Sequence, residues 1–420
     1  MRRLRVLILS VLLLSAVSLR AQDEAPNWDF GVLPCLSYNS DLGIHYGVFA
    51  DIFHYGGLYP EYRNRMYFEA SRYTGGQTFL HGQFDTRYLI PGLRTTFAAS
   101  YQHDPLFAFY GLCGLEPFNP QLHANPEGHT AFYYHSRTMI RVLGDVQGAI
   151  TDRLNWLAGL SYWRYGLSDI VKEGYDASRT LYRQMVAGGV LAEDEATGGS
   201  RLELKAGILY DTRDLESSPS RGIHAEAYLL GSGDLSGDGY GFLRAVAHWQ
   251  HYVTLLPERL VLAYHLAWQG TLTGTVPFYC MPNISTLYLR QTNTDGLGGG
   301  NTVRGLLAQR LLGDNYAWSN TELRLRLFSF DLLGQHWDIA TNPFFDTGMV
   351  TRLCKADELA EYYGETVETL RHRALRVHAS AGLGLKLAMN TNFILSAEWA
   401  APFRRTDGPS ALYLNLNYIF

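Results

Sequence analysis

Charge is scarce in this 420-residue chain: Asp, Glu, Lys and Arg make up 18%, below the usual quarter. The formal net charge of −5 argues against nucleic acid as a partner. Long apolar runs are missing as well. Beyond residue 22 no window holds the roughly 18 consecutive apolar residues of a helical membrane span, so such spans are excluded. Cysteine is rare, and Cys35, Cys113, Cys280 and Cys354 are spaced in no zinc-binding pattern. No constellation for catalysis stands out either. The stretch HANPEGH offers His123, Glu127 and His129, with His135 following, and is read as a polar loop rather than a metal centre. His378 beside Ser380 is the nearest approach to a nucleophile with its base. No metal and no cofactor are expected.

The amino terminus, MRRLRVLILSVLLLSAVSLRAQ, joins a basic segment (Arg2, Arg3, Arg5) to an apolar stretch from Val6 to Ser18. That stretch is too short for a membrane helix and reads as a secretory signal peptide over residues 1–22. Residues 23–420 would then form the working protein. No cysteine stands at the cleavage point to carry a lipid anchor. Export makes disulfides possible, but their pairing cannot be read from the sequence.

What the chain does have is 47% hydrophobic and 13% aromatic residues, 42 glycines and a strict two-residue period. In LRVHASAGLGLKL, Leu375, Val377, Ala379, Ala381, Leu383, Leu385 and Leu387 fall on one face and His378, Ser380 and Lys386 on the other. RLELKAGILY and NTELRLRL repeat the pattern. Such alternation makes strands with one apolar and one polar face. A soluble sandwich has the same local pattern, but its recurrence over nearly the whole exported chain favours a membrane barrel.

About sixteen such segments can be counted, at 28–38, 42–55, 64–75, 78–90, 93–105, 130–149, 154–168, 200–214, 221–233, 240–256, 259–273, 315–333, 336–351, 375–389, 393–403 and 410–420. Connections after even strands are mostly short: Pro91-Gly92, Thr151 to Arg153, Pro257-Glu258, Gly334-Gln335 and Asn390 to Asn392. The long ones, 106–129, 169–199, 274–314 and 352–374, all follow odd strands. Short periplasmic turns and long outer loops give a transmembrane antiparallel β-barrel with both ends periplasmic. The last segment, ALYLNLNYIF, would place Leu412, Leu414, Leu416, Tyr418 and Phe420 on the lipid face.

One stretch breaks the pattern. GLGGGNTVRGLLAQRLL (Gly296 to Leu312) puts a glycine run ahead of Val303-Arg304-Gly305, in the loop between the eleventh and twelfth strands. It lacks the Lys-Ser/Thr ending of a phosphate cradle. By alternation Glu322 points into the lumen from the twelfth strand, and Asp346 points inward with Phe344 from the thirteenth. Two inward acids on neighbouring strands suit a planar guanidinium, which can also stack on an aromatic ring.

With these motifs the chain resembles the BamA/TamA superfamily of outer-membrane assembly and translocation barrels. Val303-Arg304-Gly305 matches the family's loop motif, with Leu306 departing from the aromatic that follows it. Phe344, Asp346 and Gly348 match a Phe-x-Asp-x-Gly pattern, Glu322 matches an inward acid, and YDTRDLESSPSRG (Tyr210 to Gly222) resembles a further family stretch. The resemblance implies an all-β barrel of sixteen strands whose sixth outer loop folds back into the lumen. It also implies that Tyr418 and Phe420 end a strand read by the assembly machinery. The implied function is non-enzymatic insertion, assembly or translocation of proteins at the outer membrane, among outer-membrane lipids and client or partner proteins. The first segment begins near Trp28, leaving no room for a POTRA domain after the signal peptide, so a partner is expected to supply that part. Family members work by weakening the seam between first and last strands, and Pro34 would weaken pairing in the first. A passive pore and an outer-membrane enzyme are the alternatives.

Overall fold

The computed structural model describes residues 27–39, 42–57, 62–123, 131–171, 176–216, 218–286, 294–332, 335–389, 393–416 and 418–420. The signal-peptide reading over 1–22, the residues Glu127 and His129, the turn residue Gly334 and the turn at 390–392 lie outside these. So does the side chain of His123.

The alternating segments form sixteen strands. The first eight are β1 (Trp28–Asn39), β2 (Gly43–His54), β3 (Asn64–Tyr73), β4 (Thr78–Thr86), β5 (Leu93–Ala108), β6 (Tyr134–Ala149), β7 (Leu154–Ser168) and β8 (Ser200–Asp211). The other eight are β9 (Gly222–Asp234), β10 (Phe242–Leu256), β11 (Leu260–Gly274), β12 (Tyr316–Leu332), β13 (Gln335–Val350), β14 (His378–Met389), β15 (Phe393–Pro402) and β16 (Ala411–Leu416). Each pairs antiparallel with its neighbours in sequence, and β1 meets β16 to close the barrel. Among the described residues no helix is long and apolar enough to cross a membrane.

The orientation of the side chains separates this barrel from a water-soluble sheet protein. Phe30, Val32 and Leu204 are 72%, 66% and 63% exposed on the outer wall, while Arg201, Glu226, His265 and Glu322 are buried inside it. In water an apolar exterior around a charged interior would be unstable; in a bilayer it is the required arrangement, since closed pairing satisfies every wall amide.

The long connections lie at one end and pack on each other. They carry short helices, α1 (Pro120–His123), α2 (Leu181–Ala187), α3 (Ala356–Tyr363) and α4 (Val367–Ala374). Phe109, Tyr182, Phe278, Leu306, Leu359 and Leu370 belong to one buried apolar cluster that roofs this end. Within the roof, Cys113 and Cys354 bring their sulfurs to 3.2 Å as free thiols, and Cys280 is buried nearby. At the other end the connections are tight; Glu258 takes a positive φ of 59° in the β10–β11 turn. An epitope inserted after Val171, which is 99% exposed at the roofed end, should be labelled by antibody on intact cells. The same insert after Glu258 should be labelled only once the outer membrane is opened, and the reverse result would invert the topology.

The closure is uneven. β1 and β2 pair over twelve residues, from Trp28↔His54 to Asn39↔Gly43. Among the described residues, β1 and β16 pair only at Tyr38↔Leu414 and Asn39↔Tyr413. Among the described residues, Pro34 falls in the stretch of β1 that pairs with β2 alone, an edge position where a missing amide donor is tolerated.

The carboxyl terminus corrects the expectation from alternation. Leu412 and Leu414 do face outward, but β16 ends at Leu416, and Tyr418 and Phe420 do not continue the lipid face. Arg324 of β12 lies 3.9 Å from the Tyr418 ring centre and donates from Nη2 to the Phe420 carbonyl at 2.7 Å. The Phe420 ring packs against His265 and Tyr252 inside the wall. Cation–π attraction and a charge-assisted hydrogen bond from a lumen arginine outweigh continuation of a strand that β1 barely pairs.

Candidate functional site

Within the loop between β11 and β12, residues 296–312 fold as a small hairpin. Leu297 and Leu311 exchange backbone hydrogen bonds of 3.1 and 3.0 Å, and Gly299 donates to the Leu306 carbonyl at 2.8 Å. Its tip, Thr302 to Gly305, enters the lumen, and the Thr302 carbonyl accepts from Asn320 of β12 at 2.6 Å. Two glycines are required by geometry. Gly298 has a φ of 129°, and a Cβ there would meet the Leu307 carbonyl oxygen at 1.9 Å. Gly305, at a φ of 87°, lies so close to Ala400 of β15 that a Cβ would sit about 3.0 Å from it.

Arg304 is fully buried and fully engaged. Its Nε and Nη2 donate to the two Asp346 oxygens at 2.8 and 3.0 Å, a bidentate fork. Its backbone amide also donates to Asp346, at 3.1 Å. Nη1 donates to Glu322 at 2.6 Å and to Glu398 at 2.9 Å. The guanidinium carbon lies 3.5 Å from the centre of the Phe344 ring. The Ser380 hydroxyl donates to the Arg304 carbonyl, and the Gly305 amide donates to the Tyr413 hydroxyl at 3.1 Å. Burial alone would lower the arginine's pKa; the carboxylates of Asp346, Glu398 and Glu322 reverse this and hold it well above its ordinary value.

The neighbouring motif residues have steric reasons. A Cβ on Gly348 would meet the Val303 side chain at 2.8 Å, so this glycine opens the notch that Val303 fills. Leu306, where the family carries an aromatic, is buried in the apolar roof. Farther off, Arg213 makes a bidentate ion pair with Asp211 at 2.7 and 3.0 Å, so YDTRDLESSPSRG stiffens the β8–β9 turn.

Sequence reading placed Glu322, Phe344, Asp346 and Gly348 around the arginine; the structure brings Glu322, Phe344 and Asp346 to it, and Gly348 instead to its neighbour Val303. It missed Glu398, although Trp399 pointing outward on β15 places its neighbour inward by the same alternation. It also missed the cations that balance a third acid. Lys386 of β14 donates to Glu398 at 2.6 Å, and Arg324 donates to Glu322 at 2.9 Å. Asn342 bridges Glu322 and Glu398 at 3.2 and 3.1 Å. Asp346, Glu322 and Glu398 therefore face Arg304, Arg324 and Lys386 in a buried network without excess charge of either sign.

The residues weighed for chemistry are occupied otherwise. His378 bonds through Nδ1 to both Asp407 oxygens at 2.9 Å, and the Ser380 hydroxyl is directed at the Arg304 carbonyl. His135 stacks on Tyr182 beneath the roof, 4.7 Å between ring centres.

These observations define a transmembrane β-barrel whose lumen holds its own loop, pinned by a buried arginine. The chain belongs to the Omp85 superfamily, whose domain model matches residues 63–419. Among solved structures it is similar to BamA from Haemophilus ducreyi lacking POTRA domains 1–3, with a TM-score of 0.60 and 16% identity over 94% of this chain and 70% of that one. It is also similar to CdiB from Acinetobacter baumannii, with a TM-score of 0.49 and 13% identity over 94% of this chain and 60% of that one. Likeness at these identities is one of fold. No curated protein matches the chain. As an Omp85-family barrel the protein is integral to the outer membrane, in a family concerned with protein assembly and translocation.

Proposed function

We propose that this barrel takes part in inserting, assembling or translocating other proteins at the outer membrane, without chemistry of its own, by parting β1 from β16. The observation that carries this reading is the contrast between the two sides of that seam. The loop fastens to β12, β13, β14, β15 and β16 through Asn320, Asp346, Ser380, Glu398 and Tyr413, which makes the carboxyl-terminal side rigid. Across the seam, among the described residues, two residue pairs hold β1. Each unpaired stretch offers backbone donors and acceptors to an incoming strand, the usual basis of strand addition. Ser380 and His378 are both held in other bonds, which supports a non-catalytic role.

The reading includes a partner protein that helps to deliver clients. Affinity capture of the full chain from native membranes, after brief cross-linking, should recover periplasmic or outer-membrane proteins in fixed proportion to it. Recovery of the barrel with lipid alone would count against a role in assembly.

A further inference from the structure

The lumen wall carries a second cluster, on the first three strands and away from the arginine network. Outward alternation of Leu36, Ile44, Tyr46 and Phe68 turns Cys35 of β1, His45 of β2 and Glu69 of β3 inward together. His45 Nε2 lies 3.9 Å from Cys35 Sγ and 3.7 Å from Glu69 Oε1, and a ligand atom of each residue lies within 4.8 Å of the others. Gly47 stands opposite Cys35 on one side and Ser71 on the other, so this position of β2 adds no side chain beside the three.

We propose that Cys35, His45 and Glu69 form a site for a divalent transition-metal ion of the zinc type. Zinc bonds of about 2.3 Å to sulfur and 2.0–2.2 Å to nitrogen and oxygen put tetrahedral ligands roughly 3.3–3.7 Å apart, so the two edges from His45 Nε2 need to contract by only a few tenths of an ångström, while the Cys35–Glu69 edge, within 4.8 Å, closes by rotation of the two side chains. The mixed thiolate, imidazole and carboxylate set suits zinc or cobalt and is a poor cage for calcium or magnesium, which take oxygen ligands. Supporting contacts are already in place. Tyr67 and Ser71 each donate to a Glu69 oxygen at 2.8 Å, Ser37 lies 3.2 Å from His45 Nδ1, and the His45 ring stacks on Tyr73 at 4.2 Å. His45 Nδ1 lies 3.1 Å from Cys35 Sγ as well as beside Ser37, and Nε2 is the nitrogen that faces Glu69 and is left for the ion once the thiol turns to it. Three protein ligands leave a fourth position to water. The thiol releases its proton on binding, so affinity should rise with pH.

The position gives the site a consequence. The ion would tie β1 to β2 and β3 within four residues of Tyr38 and Asn39, where β1 meets β16. It would stiffen the side of the seam that the arginine loop does not reach. The inference stands on these ligands and does not depend on the assembly role.

Cobalt titration of the full chain in detergent tests it, since a cobalt–thiolate bond adds a charge-transfer band in the near ultraviolet. The background carries Cys113→Ala, Cys280→Ala and Cys354→Ala, with folding checked by heat-shifted gel mobility. We expect a stoichiometric band that zinc displaces, that Cys35→Ser abolishes, and that needs at least about a hundredfold more metal in His45→Gln or Glu69→Gln, since losing a ligand costs more than the roughly tenfold to hundredfold of losing a ligand's supporting contact. If the triple replacement fails to fold, the native chain and Cys35→Ser give the same comparison. A band with unchanged affinity in both His45→Gln and Glu69→Gln would mean a lone thiol picking up metal, and would overturn the site. Absence of the band would overturn it equally.

Discussion

Arg304→Ala should leave the barrel folded and free the loop inside it. The substitution removes one cation from a buried network, so that Lys386 and Arg324 face Asp346, Glu322 and Glu398 alone. Breaking a buried ion pair by deleting one partner costs about 3–5 kcal/mol, because the remaining charge stays desolvated. The wall should survive, since its own hydrogen bonds close it. The loss falls on the hairpin, which keeps the Leu297–Leu311 bonds, the Arg310–Asp407 contact at 3.5 Å and, at its tip, only the backbone hydrogen bonds to Asn320, Asp346, Ser380 and Tyr413. Limited proteolysis in detergent should then cut between Gly296 and Leu312, a stretch protected in the parent. Arg304→Lys should restore protection only in part, because an ammonium cannot fork across Asp346 while reaching Glu322 and Glu398. Pairing Arg304→Glu with Asp346→Arg should recover more than Arg304→Glu alone. Full protection in Arg304→Ala would show that the roof holds the loop without the pin.

The second large effect concerns conduction. A sixteen-strand barrel with an unfilled lumen leaves an aqueous channel. Here the hairpin occupies that lumen, and Leu297, Val303, Leu306, Leu311 and Leu312 contribute to the apolar roof. Deleting residues 296–312 removes both the plug and part of the roof's packing. In planar bilayers the intact protein should be nearly silent, and the deletion should produce large, long-lived openings. Open-pore conduction by the intact protein, unchanged by the deletion, would favour the passive-pore reading over the assembly role.

Much of this arrangement was legible in the sequence, because a membrane barrel leaves a period-two record at every strand. Sixteen segments, their order and the parity of the connections could be read from alternation, and β7 matches at both ends, Leu154 and Ser168. Boundaries drifted at the roofed end; the segment expected from 130 begins as β6 at Tyr134, where packing of the loop decides the first ladder bond. What alternation reports is inward or outward, never height along the barrel. Glu322 and Asp346 could be placed inside, but nothing in the pattern showed that Glu398 and Lys386 lie level with them. The same limit explains the carboxyl terminus. Tyr418 and Phe420 continue the period, yet contacts with Arg324, Tyr252 and His265, distant in sequence, turn them inward. The Cys35, His45 and Glu69 cluster has no spacing motif, because its ligands come from three strands in a sheet register that only pairing reveals.

The seam itself offers the most direct test of the assembly reading. Tyr38→Cys with Leu414→Cys, in a chain freed of its native cysteines, places a thiol pair at a position where β1 meets β16. Cells depleted of the natural copy would carry this variant, and the outer-membrane content of newly made proteins would be measured before and after reductant. The account predicts failure of assembly or export while the cross-link is closed and recovery once it is reduced. Undiminished assembly with the seam verified as locked would contradict it.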